Sequence, residues 1–394
     1  MKKIDNIIFS FDFFPNIGGA HLWLYEVGRN WPEPTIVLTS HFPMLVKSQE
    51  TFDSLYHGAI DEINRFSFKV TSWGIDLNFF KNFWQLFRFF EKKRCPGQVV
   101  VHSLRTIPET VSLLFIKYVL KQKLKIITYA HGEEFLVAKT SRQLKLLTKL
   151  ALKYSDMVIA NSYSTKKLVL SFCSESKIKV VHLGVDFASY QLPSVERETW
   201  RENWGFSKDT IILITMARME PRKNQAMVLK ALTELRKEGL PLAYVLGGEG
   251  EEEERLKRLA RDLAIQRWVK FLGRISEEEK IKSFCAADIH VMPSVQIGPM
   301  IEGFGIVFME AAAAGMPSIG GCIGGQPEAI VHEKTGLVID GHDIGQIKAA
   351  IKRLVINVEE RKQMGQEARK WAQEHDWSNV VQKIYTIVHK LGVN

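Results

Sequence analysis

Residues 292–328 read MPSVQIGPMIEGFGIVFMEAAAAGMPSIGGCIGGQPE. An apolar run, Ile289–Pro293, leads into this stretch, and a second, Pro317–Gly320, lies near its end. Between them, Ile306–Ala314 has the composition of a helix that stops at Gly315, with Pro317 behind it. Strand, helix and strand in that order form the repeating unit of a parallel sheet covered by helices. Outward from here the pattern recurs. Further candidate strands in the second half are Ile211–Ala217, Ala243–Gly247, Val269–Leu272 and Leu337–Ile339. In the first half they are Ile4–Phe11, Thr35–Thr39, Gln98–His102, Lys125–Ala130, Met157–Asn161 and Lys179–Leu183. The fold class is α/β, with two Rossmann-like domains expected to face each other across a cleft that holds the ligand.

The length agrees, since 394 residues exceed one core and suit two. Residues 187–208 are polar and broken by Pro193 and Gly205. The expected division is therefore a first domain over 1–190, a linker over 191–207 and a second domain from 208. Residues 1–190 carry 25 Lys and Arg against 16 Asp and Glu, while residues 191–394 carry 28 of each, so the net charge of +9 sits in the first half. An anionic acceptor or membrane surface and a chance surface excess account for it equally. Cys95, Cys173, Cys285 and Cys322 are far apart and form no CxxC pair, which suits a reducing cytoplasm. Asp5 and Asp12 interrupt the N-terminal apolar stretch, which reads as a first strand and not a signal peptide. No window approaches the ~18 unbroken apolar residues of a membrane span. The expected location is the cytoplasm, with the inner face of the cell membrane as an extension of it.

Glu302 and Glu310 bracket a glycine-rich turn, Gly303-Phe304-Gly305, that opens the helix beginning at Ile306. Such a turn offers backbone N–H groups and a helix dipole to a diphosphate. The two carboxylates suit sugar hydroxyls, or equally a helix-capping role for Glu302 and a solvated one for Glu310. Arg218 and Lys223, in MARMEPRKNQ (216–225), follow a strand and can neutralise a leaving diphosphate; alone, they would be surface charges in a basic turn. Arg222 reads as a surface charge. Gly18 and Gly19, in Pro15-Asn16-Ile17-Gly18-Gly19, let backbone approach a phosphate or simply turn the chain. His131 ends another strand and suits a sugar hydroxyl or an ordinary loop. Gly248, within Gly247-Gly248-Glu249-Gly250, makes room for a nucleoside. DxD, GxGxxG, GxxxxGK[ST] and HExxH are all absent, so neither a metal nor another cofactor is expected.

Taken together, PNIGG, HGE, ANSxxT (160–165), HLGVD (182–186), ARMEPRKN, GGEG, EGFGIVFMEAAAAGMP and GGQPE resemble the retaining GT-B glycosyltransferases of family 4 across nearly the whole chain. RMEPRKNQ and the long loop before Glu302 are most similar to the phosphatidylinositol-mannoside mannosyltransferase subgroup. The resemblance implies a hexose moved from a nucleotide-diphosphate sugar, GDP-mannose ahead of a UDP-sugar, to a lipid-linked, polysaccharide or small acceptor. It implies ribose contacts from Glu310 and donor-sugar contacts from Glu302, Gly303, Phe304 and Gly305, with Ile306 opening the helix behind them. Arg218, Lys223 and the Gly19 amide would bind the diphosphate, Arg274 and Ile275 would flank the base, and His131 would touch the transferred sugar. It further implies same-face attack without metal, and a C-terminal helix within 373–394 that crosses back to the first domain after a second domain ending near 372. Relative to common members, the loop Val295–Ile301 is longer and borders the presumed cleft.

A sugar-nucleotide epimerase, a glycan phosphorylase and a non-catalytic carbohydrate-binding protein are the competing readings; no nucleic-acid partner is expected. Residues 77–94, LNFFKNFWQLFRFFEKKR, place Asn78, Lys81, Asn82, Gln85, Arg88 and Lys92 on one helical face. Packing in the core comes first for this helix, and contact with an anionic membrane through the first domain second. The same two readings, in the same order, apply to LKLLTKLALK, residues 144–153.

Overall fold

A computed structural model describes residues 5–11, 18–41, 60, 62–68, 77–93, 98–191 and 194–392. The chain divides into two compact units, Met1–His182 with Trp377–Asn394, and Leu183–Asp376.

The first unit is built on β1 (Asp5–Phe9), β2 (Thr35–Ser40), β3 (Glu62–Phe66), β4 (Val99–Ser103), β5 (Leu124–Ala130), β6 (Met157–Ala160) and β7 (Ile178–Val180). Its helices are α1 (Gly19–Arg29), α2 (Leu77–Lys92), α3 (Val111–Val119), α4 (Glu133–Lys139), α5 (Arg142–Tyr154) and α6 (Tyr163–Val169). The sheet order is β3-β2-β1-β4-β5-β6-β7, and every pairing is parallel. β4 is buried along its length, as are Asn6–Phe9 of β1 and all of β5 but half-buried Lys125, with Ile7, Phe9, Val99, Val101 and Ile126 in one core. That burial produces the unbroken apolar runs visible in the sequence. β3, EINRF, was not among the candidate strands. It is an edge strand with mostly half-buried residues, and its polar composition carries no apolar run.

α2 enters the core through Phe79, Asn82, Leu86 and Phe90, spaced as one helical face. Asn82, expected on the polar face, is buried. Leu77, Phe80 and Trp84 are instead exposed.

The second unit contains α7 (Ser194–Asn203), β8 (Ile211–Met216), α8 (Gln225–Lys237), β9 (Leu242–Gly247), α9 (Glu253–Asp262), β10 (Val269–Gly273), α10 (Glu277–Ala286) and β11 (Ile289–Met292). It continues with α11 (Ile306–Ala313), β12 (Ser318–Gly321), α12 (Gln326–Ala329), β13 (Gly336–Ile339), α13 (Ile344–Ile356) and α14 (Val358–Glu374). Its parallel sheet runs β10-β9-β8-β11-β12-β13. All six strands expected in this half are present, each shifted by no more than a residue at either end.

In each sheet the first strand is central and the order reverses beside it, between β1 and β4 and between β8 and β11. Parallel sheets of this kind bind ligands outside the C-terminal ends of the strands at such a point.

The stretch expected as linker holds α7, which is tied to the second unit. Asp288 Oδ1 accepts from Arg197 at 2.6 Å, and Oδ2 from Arg201 at 3.1 Å and from the Ile212 amide at 2.8 Å. The crossing between units falls earlier, at His182–Leu183, and the return falls at Asp376–Trp377. The last helix, α15 (Trp377–His389), buries Trp377, Val380, Val381, Ile384 and Val388 in the first unit. It packs on α1, with the Tyr385 ring 5.2 Å from Trp31. Among the described residues no helix is long and apolar enough to cross a membrane.

Candidate active site

In the second unit the chain leaves β8, turns through Arg218–Glu220, makes one 3-10 turn over Pro221–Lys223 and enters α8. Asn224, in the left-handed region with φ 64, makes the bend possible. Its amide donates to the carbonyls of Pro293 at 3.1 Å and Gly341 at 2.7 Å, tying the turn to the ends of β11 and β13. Gly248 sits at φ +115, and a Cβ there would lie 2.3 Å from the Ala217 carbonyl oxygen. The tip of β9 can lie against the tip of β8 only because that residue is glycine.

Five charged side chains meet at this turn. Glu302 Oε2 accepts from Arg222 Nη1 at 3.0 Å and from the Lys223 ammonium. Glu220 accepts from Arg222 Nε at 3.0 Å and from Arg218 Nε at 2.9 Å. Arg222, Lys223 and Glu302 are buried, whereas the Arg218 side chain is 72% exposed. Arg222, expected as a surface charge, instead turns inward onto two carboxylates, while Arg218 stands at the exposed side of the turn. Burial pushes the Glu302 pKa up, but Lys223 and Arg222 outweigh it and hold the carboxyl below its ordinary range. Burial pulls the Lys223 pKa down against the attraction of Glu302.

Glu302 is followed by Gly303, buried Phe304 and Gly305, the last at φ 88 and capping α11. Ile306 is the first helical residue, and Glu310 lies four residues on, buried among the helix side chains. Glu310 is not solvated: its Oε1 accepts from Lys280 Nζ of α10 at 2.7 Å. Lys280 also reaches Glu277 at 2.8 Å. Burial works against the Lys280 ammonium, but Glu310 and Glu277 prevail and raise its pKa. Glu310 Oε2 is buried with no hydrogen-bond partner among the described residues. Arg274 is exposed just beyond β10, and half-buried Ile275 stands by the end of β9, its Cδ1 3.4 Å from where a Gly247 Cβ would be.

The GGQPE turn supports the EGFG turn from below. A Cβ on Gly324 would lie 2.2 Å from the Glu302 carbonyl oxygen, and one on Gly325 would lie 2.1 Å from that of Gly303. Gln326 is buried and acts as a clamp: its Oε1 accepts from Ser294 and Gly321 amides, and its Nε2 donates to Ser294 and Ile323 carbonyls.

The loop before Glu302 closes on itself through paired backbone bonds between Ile297 and Met300, of 3.1 and 3.0 Å. Ile297 and Met300 form one wall of a cavity of about 350 Å³, opposite Arg218, Glu220 and Arg222. This stretch therefore borders the cationic turn within its own unit. Among the described residues no three His, Cys, Asp or Glu side chains come together as metal ligands.

Gly18, Gly19 and His131 belong to the first unit. Gly18 is extended and caps α1, and Gly19 is its first residue, so the free N–H groups of that helix begin here. Pro15–Ile17 lie outside the described residues. His131 follows β5 and its Nε2 donates to the Leu104 carbonyl at 2.8 Å, which leaves Nδ1 as the acceptor of the neutral ring. Burial brings its pKa down to about 4. Its backbone is held on both sides: the amide donates to Glu134 at 2.6 Å, and the carbonyl accepts from Asn161 at 3.1 Å and Thr165 at 3.4 Å. ANSxxT is therefore a brace for His131. Residues that sequence reasoning missed are Glu220, Lys280 and Gln326. A glutamate in a basic turn, a lysine in the acidic run EEEKIK and a glutamine between Gly and Pro carry no spacing signal of their own.

Two doubly wound parallel sheets, with a buried Lys–Glu–Arg cluster at the switch point of one, are the architecture that GT-B glycosyltransferases share. Residues 196–371 match the family of group 1 glycosyl transferases, and the chain is a glycosyltransferase of that type. It is 26% identical over 381 residues to the GDP-mannose-dependent alpha-(1-6)-phosphatidylinositol monomannoside mannosyltransferase of Mycobacterium tuberculosis, covering 95% of each chain. The protein of the same description from Mycolicibacterium smegmatis is 31% identical over 255 residues, 63% of this chain and 65% of that one. Among solved structures, Anabaena HepE in complex with UDP superposes with a TM-score of 0.81 at 16% identity, covering 98% of this chain and all of the other (100%). Sucrose-phosphate synthase from Thermosynechococcus elongatus gives 0.77 at 18% identity over 99% of each.

Proposed function

We propose that this glycosyltransferase moves a hexose, with retention of anomeric configuration and without a metal ion, from GDP-mannose to a lipid-linked acceptor at the inner face of the cell membrane. The observation that carries this reading is the buried Lys223–Glu302–Arg222 cluster at the end of β8. Its two cations are already desolvated, so a diphosphate meets them at little further cost, and one such donor is worth roughly 3 kcal/mol in the transition state. Arg218, exposed and paired with Glu220, adds a third cation at the same turn. A carboxylate held by two cations is a poor nucleophile. Glu302 instead orients Lys223 and offers its second oxygen to the donor sugar, while the departing phosphate accepts the acceptor proton. Glu310 Oε2, buried and without a protein partner among the described residues, suits a ribose hydroxyl. The mannosyl donor rests on the mycobacterial relatives, whose names specify GDP-mannose and a phosphatidylinositol acceptor.

Calorimetric titration with GDP and with UDP, each repeated in EDTA, tests the reading. GDP should bind with unchanged affinity in EDTA, and Lys223→Ala and Glu310→Ala should each weaken it by about tenfold or more, the loss of one charge-assisted hydrogen bond. Thermal melts of both variants report whether they remain folded. Binding of neither nucleotide by the folded wild-type protein would rule the reading out.

A further inference from the structure

Fourteen large apolar side chains are exposed among the described residues, and nine of them lie on α2, α3 and α5. Such clustering is not the scatter of single apolar residues that any surface shows. Leu77, Phe80 and Trp84 project from α2, Phe115, Tyr118 and Val119 from α3, and Leu146, Leu150 and Tyr154 from α5, with exposures from 41% to 80%. Ring contacts join the three helices into one ridge. Phe83 meets Phe115 at 5.8 Å, and Tyr118 meets Tyr154 at 5.9 Å. Trp84 stacks on Phe87 at 5.4 Å.

The charged residues of these three helices are nearly all cations. α5 carries Arg142, Lys145, Lys149 and Lys153 and no acid. α2 carries Lys81, Arg88 and Lys92 against Glu91 alone. Arg88 lies over the Trp84 ring at 5.5 Å and Lys153 over Tyr154 at 5.4 Å, so cations are anchored at the aromatic edge. Apolar and aromatic side chains bordered by lysines suit the boundary between headgroups and acyl chains, where rings sink in and ammonium groups meet phosphates. A protein partner fits less well, because protein interfaces deplete lysine.

We infer that α2, α3 and α5 together form one docking face for an anionic lipid bilayer. This deepens the membrane association proposed above. The face is a three-helix surface in which α5 supplies most of the charge and α2 most of the aromatic depth; the basic end of α2 alone does not account for it.

The full chain would be sedimented with vesicles of phosphatidylcholine and phosphatidylglycerol in equal parts, and with phosphatidylcholine vesicles alone. Wild type should pellet with the mixed vesicles, lose binding at high salt and bind phosphatidylcholine at least about tenfold more weakly. Lys145→Glu/Lys149→Glu and Trp84→Ser/Leu146→Ser/Leu150→Ser should each reduce partition into mixed vesicles by about tenfold or more. All the substituted residues are exposed; thermal melts like those of wild type show that the variants fold, and unchanged nucleotide titration shows that the donor site is intact. Absence of binding to mixed vesicles would overturn the inference, as would equal binding to neutral ones. So would an α5 double variant that partitions like wild type. Self-association without lipid, abolished by the same changes, would assign the face to a second copy and also overturn it. A protein that binds vesicles but no nucleotide would sink the transferase donor reading and leave this face standing.

Discussion

His102 and His131 stand on adjacent strands or just past them, and neither is held in place by its charge. His102 is wholly buried, with Nδ1 2.9 Å from the Tyr129 hydroxyl and Trp31 packed 4.7 Å away. Burial takes its pKa down to about 3. A histidine lowered in this way stays neutral in the fold while the unfolded chain gains a proton below about pH 6.5. Its contribution to stability is therefore complete above pH 6.5 and is lost progressively as pH falls from there through about 3. Urea unfolding across that window should show stability falling by about 1.4 kcal/mol per pH unit for this group. His102→Gln should flatten the slope by that amount, and an unchanged slope would mean His102 titrates alike in both states. The residue scale is also where sequence reading has least purchase. Arg218 and Arg222 are the same residue type four positions apart, and only the folded turn determines that Arg222 faces Glu302 and Arg218 faces solvent. Lys280 is likewise one lysine among several in an acidic helix, and nothing local marks it as the partner of Glu310, thirty residues on.

At the scale of elements, the sequence is most legible where burial is greatest. β8, β9 and β11 are buried on both faces, so their apolar runs stand out, whereas the half-exposed edge strand β3 leaves no such trace. α7 has the polar composition of a linker, and what makes it part of the second unit is Arg197 and Arg201 reaching Asp288 across 91 and 87 residues of sequence. Glycine turns were visible as motifs, but not that two of them would lie on each other. The contact of Gly325 with the Gly303 carbonyl, 2.1 Å from the position of a Cβ, makes a specific demand. Gly325→Ala should push the EGFG turn outward and cost about 2 kcal/mol in stability, the usual scale of overpacking. It should also weaken nucleotide binding measured by calorimetry. Equal affinity in wild type and variant would show that the position of this turn does not govern the donor site.

At the scale of the whole molecule, the first unit is made from both ends of the chain. α15 fills a face of α1 with Trp377, Val380, Val381, Ile384 and Val388, and Tyr385 reaches Glu33 at 3.4 Å. Truncation after residue 376 should lower the melting temperature of the first unit, because several large apolar side chains at about 1.5–3 kcal/mol each leave its core. Nucleotide binding at the donor site proposed in the second unit should persist in the soluble fraction. Loss of both would mean that the two units do not fold separately. The second unit, Leu183–Asp376, begins and ends at one place: Val185 pairs with Asp376, and its amide donates to the His375 carbonyl at 3.0 Å. On the ribosome, β1 to β7 are all translated before the second unit begins, yet the helix that completes their packing emerges only after that unit. At about 5–20 residues per second the unfinished first unit must wait on the order of tens of seconds. Through that interval the surface of α1 meant for α15 stays bare in the crowded cell, a natural holding point for a chaperone.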